Sequence, residues 1–288
     1  MEKAHTSRSI WIYLFITFSL AVLLSFSISL TGGHTSKWIN LAYLAMFIPA
    51  VAVLVLRLLK VSSLIVEWQR FPLEWIPGAL FIFPVIIHAV CLPLVAWQNN
   101  GEIPWQSWLS VGIDGIFHTP LNKNWGDLTW PELVIRIALN AVTGLLIVSF
   151  LAFFEEIGWR AWLLPKLIER FDIKKGIFAT ALICALWHLP YSLSGIHHVA
   201  DMPLYYSVPL EFFGQIGVAI IFSWLWIRTQ SIWMVSIAHG SLNNWGQYAF
   251  KFMDDTSSAS QTLSLFIALN LSLFLSGLII LFSLKKRK

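Results

Sequence analysis

The 288-residue chain is 57% hydrophobic and only 12% charged, with a mean hydropathy of +0.72, whereas a soluble domain carries about 25% charged residues. Its formal charge of +4 is small and dispersed, with no basic stripe interleaved with aromatics, which argues against nucleic acid as a partner. Lipid is therefore the solvent, and the useful unit is the membrane span of roughly 20 apolar residues.

Taken in chain order, the apolar runs are Ile10 to Leu30, Ile39 to Leu59, Ile76 to Trp97, Leu133 to Leu164, Gly176 to Ile196, Pro209 to Ile227, Ile232 to Ala249 and Leu263 to Leu284. They predict an all-α polytopic membrane protein of about eight transmembrane helices in one bundle. The first run is too long for a signal-peptide core and reads as a retained anchor. The one long connection, Gln98 to Glu132, holds Trp105, Trp108, Trp125 and Trp130 and reads as an interfacial lid or re-entrant loop. No internal repeat or linker divides the chain, so residues 1–288 are expected to form a single transmembrane domain. Cys91 and Cys184 sit inside apolar runs without a C-x-x-C spacing and read as packing residues.

Counting Lys and Arg in alternate connections gives an orientation. One side collects Lys3, Arg8, Arg57, Lys60, Arg70, Arg160, Lys166, Arg170, Lys174, Lys175, Arg228 and the four tail charges Lys285 to Lys288, which is 15; the other has Lys37, Lys123, Arg136 and Lys251, which is 4. Both termini are therefore expected in the cytosol, with the basic tail meeting anionic lipid. The expected location is a bacterial cell membrane, crossed several times.

Ionisable groups inside a span are unfavourable by about 2.5 to 3.5 kcal/mol each on insertion scales and are functional candidates by default. The fourth span ends in Phe153-Phe154-Glu155-Glu156-Ile157-Gly158-Trp159-Arg160, the fifth carries Trp187-His188-Leu189-Pro190, and the seventh carries His239-Gly240-Ser241-Leu242-Asn243-Asn244. Glu156 and Arg160 are four apart on one helical face and suit a carboxylate–guanidinium pair. Glu155 lies about 100° round the helix and faces elsewhere. His239 and Asn243 share a face one turn apart, and Asn244 does not share it. Helical rise from the expected helix ends places Glu155, His188, His239 and Asn243 at similar depths. His88 in the third span and Asn140 in the fourth read as interhelical glue, whereas His118, His197 and His198 lie in connections and read as solvated.

A carboxylate beside an imidazole in apolar surroundings suits general-base chemistry. Glu155, assisted by His188, is placed to activate a water against a peptide carbonyl, while His239 and Asn243 supply N–H donors to the developing oxyanion. Glu155, His188 and His239 also make a possible two-His, one-carboxylate set, so a metalloprotease stays open as an alternative. The sequence has no His-Glu-x-x-His, the signature that would favour zinc.

Glu155-Glu156-x-x-x-Arg160, then His188, then His239-x-x-x-Asn243, in order and in separate spans, resembles the motif set of the CAAX-protease and bacteriocin-processing (CPBP) family of intramembrane glutamic endopeptidases. The resemblance covers about residues 151–244. It implies Glu155 as the catalytic base, His188 as its assistant, His239 and Asn243 as the oxyanion site, Glu156 and Arg160 in support, no cofactor and no metal. The eight-helix count is similar to the family's. One departure is Cys184, where the family has Phe four residues before the histidine. The resemblance implies an endopeptidase acting on a membrane-anchored or lipidated peptide or protein within the bilayer. A non-proteolytic immunity factor or scaffold of the same family is the alternative from another class.

Overall fold

A computed structural model describes residues 2–62, 70–103, 110–112, 114–118, 127–196, 202–246 and 259–284. In a bilayer no water satisfies the backbone, so each spanning segment closes its own hydrogen bonds as a helix. The helices are α1 (Glu2–Ser29), α2 (Ile48–Leu58), α3 (Ile76–Gln98), α4 (Trp130–Leu139), α5 (Leu145–Glu156), α6 (Leu164–Phe171), α7 (Ile173–Leu193), α8 (Leu204–Thr229), α9 (Ile232–Gly246) and α10 (Ala259–Ser283). α2 is preceded by a nine-residue 3-10 helix, Ile39–Phe47. Five π-helical residues, Asn140–Gly144, join α4 to α5, and seven more, Ile157–Leu163, join α5 to α6.

Among the described residues seven helical stretches are long and apolar enough to cross a membrane, and the chain is an all-α polytopic membrane protein. The expected span missing from these seven is the seventh, Ile232 to Ala249, of which the described part is α9, 15 residues that rise about 22 Å against a hydrocarbon core of about 30 Å. The fourth expected span is longer than its apolar run suggests, a 42-residue stretch, Trp130–Phe171. One contiguous core joins residues from Ile10 to Leu284. Large apolar side chains such as Phe15, Leu23, Ile147, Phe150, Ile279 and Phe282 stand exposed on the bundle's outside, where the solvent is lipid.

The connection expected as a lid carries a small three-stranded antiparallel sheet instead of only irregular backbone. Ser110–Val111 (β1) pairs with Phe117–His118 (β2), and β2 with Asp127–Leu128 (β3). Trp105, Trp108, Trp125, His197, His198, the 285–288 tail and the side chains of His118 and Asn140 lie outside the described residues. His88 Nδ1 lies 2.8 Å from the Pro84 carbonyl of its own helix.

Three close approaches hold the helices around the bundle's buried carboxylates. Pro84 inside α3 has no N–H for the Leu80 carbonyl, and the Ser241 hydroxyl of α9 donates to that oxygen at 2.5 Å. Gly240 packs on α5 so tightly that a Cβ there would stand 2.1 Å from Ser149 Oγ and 2.7 Å from Ser149 Cα. α8 and α10 meet in the same way, a Cβ on Gly277 falling 2.7 Å from Gly217 Cα. Small residues let membrane helices pack backbone to backbone, where dispersion drives association.

Candidate active site

The site begins where α5 gives way to the π-helical turn. Widened turns of this kind frequently mark functional positions. This one brings two consecutive carboxylates into the bundle interior, Glu155 at 4% exposure and Glu156 at 0%. Gly158 opens the turn to its neighbours, since a Cβ there would meet Pro49 Cβ at 2.3 Å and the Tyr13 hydroxyl at 2.5 Å. Tyr13 of α1 in turn stacks on Trp162, with ring centroids 4.6 Å apart, and meets the edge of Trp159.

Glu156 is committed to two cations or potential cations. Arg160 Nη1 donates to its Oε1 at 3.0 Å and lies 3.0 Å from Oε2. His239 Nδ1 of α9 lies 2.7 Å from Oε1. Arg160 also donates through Nη2 to the Ala219 carbonyl of α8 at 3.4 Å. Phe222 is stacked on the His239 ring, with centroids 4.9 Å apart, and the Arg160 guanidinium lies 5.1 Å over the same Phe222 ring. The expected Glu156–Arg160 pair is therefore present, and His239 joins it across 83 residues of sequence. With Nδ1 turned to Glu156, Nε2 is the His239 ring nitrogen available to the cavity.

Glu155 has a different setting. Its Oε1 accepts from Trp159 Nε1 at 3.2 Å, and its side chain borders a cavity of about 440 Å³, a size within the usual range of ligand sites. Glu155, His188, His239 and Asn243 all line this cavity, so α5, α7 and α9 bring the four predicted residues together there. His188 rises from α7 beside Trp187, whose indole N–H donates to the Thr17 carbonyl of α1 at 3.2 Å. Asn243 is exposed where it borders the cavity, and Asn244 is the buried one of the pair.

Other lining residues carry no motif. Ile39, Asn40, Tyr43 and Met46 come from the 3-10 segment, Cys184 and Tyr191 from α7, and Gln215 and Ala219 from α8. Cys184 sits one turn before His188 on the cavity wall, the place where the family has Phe. Among the described residues no group of three His, Cys, Asp or Glu side chains is arranged to hold a metal ion.

These features define the class: a polytopic α-helical membrane protein with a carboxylate-bearing cavity buried in its bundle. Residues 136–245 match the family model described as Rce1-like, type II CAAX prenyl endopeptidase Rce1-like. That segment is therefore similar to the CAAX-type membrane endopeptidases that this model describes. Among curated proteins, none matches the chain.

Proposed function

We propose that the protein is an intramembrane endopeptidase that hydrolyses a peptide bond of a membrane-anchored or lipidated peptide or protein, with both of its termini on the cytosolic side. The observation that carries this reading is the convergence of Glu155, His188, His239 and Asn243 on one cavity inside a membrane bundle.

Glu155 takes a proton from a water as the water oxygen attacks the scissile carbonyl carbon. The carbonyl π electrons move to oxygen, and that oxyanion receives hydrogen bonds from His239 and Asn243. On collapse the C–N bond breaks and Glu155 returns the proton to the leaving amine, giving a carboxylic acid and an amine. His188 orients the attacking water against Glu155. Because the Glu156 carboxylate accepts from Nδ1–H of His239, Nε2 carries a donor hydrogen only when the ring is doubly protonated. The imidazolium so formed is balanced by Glu156, which Arg160 holds in place.

The test is cleavage of a quenched peptide library, with and without lipidated members, by purified protein beside Glu155→Ala, each with and without a chelator. Loss in Glu155→Ala with full cleavage in chelator is expected. Loss of wild-type cleavage in chelator would favour the metal-dependent alternative, and no cleavage by the wild type together with full cellular activity of Glu155→Ala would favour an immunity or scaffold role.

A further inference from the structure

The polar lining of the cavity includes a carboxamide that the proposed reaction leaves unused and no motif contains. Gln215 of α8 borders the cavity near the middle of a spanning helix, about 16 Å from Leu204 and about 21 Å from Thr229 along the axis. A polar side chain at that depth is unfavourable in lipid and serves either as interhelical glue or as part of a site. Glue needs a partner on another helix, and among the described residues the Gln215 side chain has no hydrogen bond. Its direction is fixed by how α8 packs. Gly214 and Gly217 face α10, where a Cβ would stand 2.1 Å from Asn270 Oδ1 and 2.2 Å from the Leu273 carbonyl oxygen, respectively. The adjacent stripe, Gln215, Val218, Ala219 and Phe222, follows the i, i+3, i+4, i+7 pattern of one helical face and lines the cavity. Phe222 stacks on the His239 ring, so Gln215 is the polar member of a stripe whose other end meets the proposed oxyanion donor.

We infer that Gln215 is a substrate-binding residue that holds the main chain of the substrate, its carboxamide pairing with the N–H and C=O of one peptide unit near the scissile bond. An extended substrate brings peptide groups into the bundle interior, where each one left unpaired is unfavourable. A primary carboxamide carries two N–H donors and a carbonyl acceptor, the complement of a peptide unit. It has no charge with which to select a charged side chain, so the recognition is of backbone and not of residue type. Helical geometry sets the position. The seven residues from Gln215 to Phe222 rise about 10 Å, and an extended chain advances about 3.3 Å per residue, so the unit lies within about three residues of the scissile carbonyl. Losing this pairing is expected to lower kcat/KM by about tenfold.

This inference rests on the peptidase reading, and its test separates the two. The full-length protein is given quenched peptides in which one peptide unit at a time, within about three residues to either side of the cleaved bond, is replaced by an ester, which removes the N–H and weakens the carbonyl as an acceptor. In the wild type one such ester is expected to lower kcat/KM by about tenfold, chiefly through KM. In Gln215→Leu the same ester should have no further effect, while esters at the other units act as they do in the wild type. Each ester-to-amide ratio is internal to one variant, so partial loss of folded protein does not disturb it. Ester penalties that are the same in the wild type and Gln215→Leu at every unit would overturn the inference. If the wild type cleaves no peptide, the peptidase reading fails by itself, and direct binding of the amide and ester peptides takes over. Tighter amide binding that is lost in Gln215→Leu would sustain the inference, and an amide-to-ester ratio unchanged by the substitution would refute it.

Discussion

Two carboxylates one residue apart occupy opposite regions of this site. Glu156 sits in the packed interior with Arg160 on both oxygens and His239 on one. Glu155 accepts from the Trp159 indole and borders the cavity. A general base has to exchange a proton during each turnover, which an ion pair fixed on two sides opposes and a cavity-facing carboxylate permits. On the proposed reading the contrast gives chemistry to Glu155 and architecture to Glu156, although both are buried and adjacent on one helix.

The largest expected effect on stability comes from breaking the architectural side. Glu156→Ala leaves the Arg160 guanidinium buried without its carboxylate, a loss of about 3 to 5 kcal/mol for a pair of this kind. It should lower the thermal midpoint of the detergent-solubilised protein and abolish cleavage together. Gly240→Ala sharpens the comparison at intermediate size. Its Cβ would press on Ser149 backbone and side chain, at about 1 to 3 kcal/mol for overpacking. The resulting shift of α9 should separate His239 from Glu156, so cleavage is expected to fall by more than the loss of folded protein explains.

The smallest effect lies away from both carboxylates, at the start of α7. Asp172 caps that helix by accepting from the Lys175 backbone N–H at 3.0 Å. That hydrogen bond, with the Lys175 charge in support, holds its carboxyl below the usual aspartate range. A depressed folded-state value stabilises above the unfolded value of about 3.9 and is lost as pH falls through the folded one. Asp172→Ala is therefore expected to lower the thermal midpoint slightly at neutral pH, with the gap to wild type closing below about pH 4. Cleavage should be little changed.

Much of the fold and site is legible in the sequence because lipid makes it so. Hydrophobic runs mark helices directly, and the intramembrane Glu155, His188 and His239 stand out by their cost. The i,i+4 rule gives the Glu156–Arg160 contact. It does not reach the His239–Glu156 contact, which depends on α9 lying against α5, a packing that Gly240 permits and no local pattern announces. The nine-residue 3-10 stretch at Ile39–Phe47 looks like any apolar segment, since winding leaves no mark on composition.

The most direct measurement compares Glu155→Gln with Glu156→Gln for both thermal midpoint and cleavage rate in the same detergent. Glu155→Gln is predicted to keep a midpoint near that of the wild type while cleavage falls by about 10²-fold or more, and Glu156→Gln to lose both. Cleavage by Glu155→Gln within a few-fold of wild type would contradict the assignment of the catalytic base, whatever Glu156→Gln does.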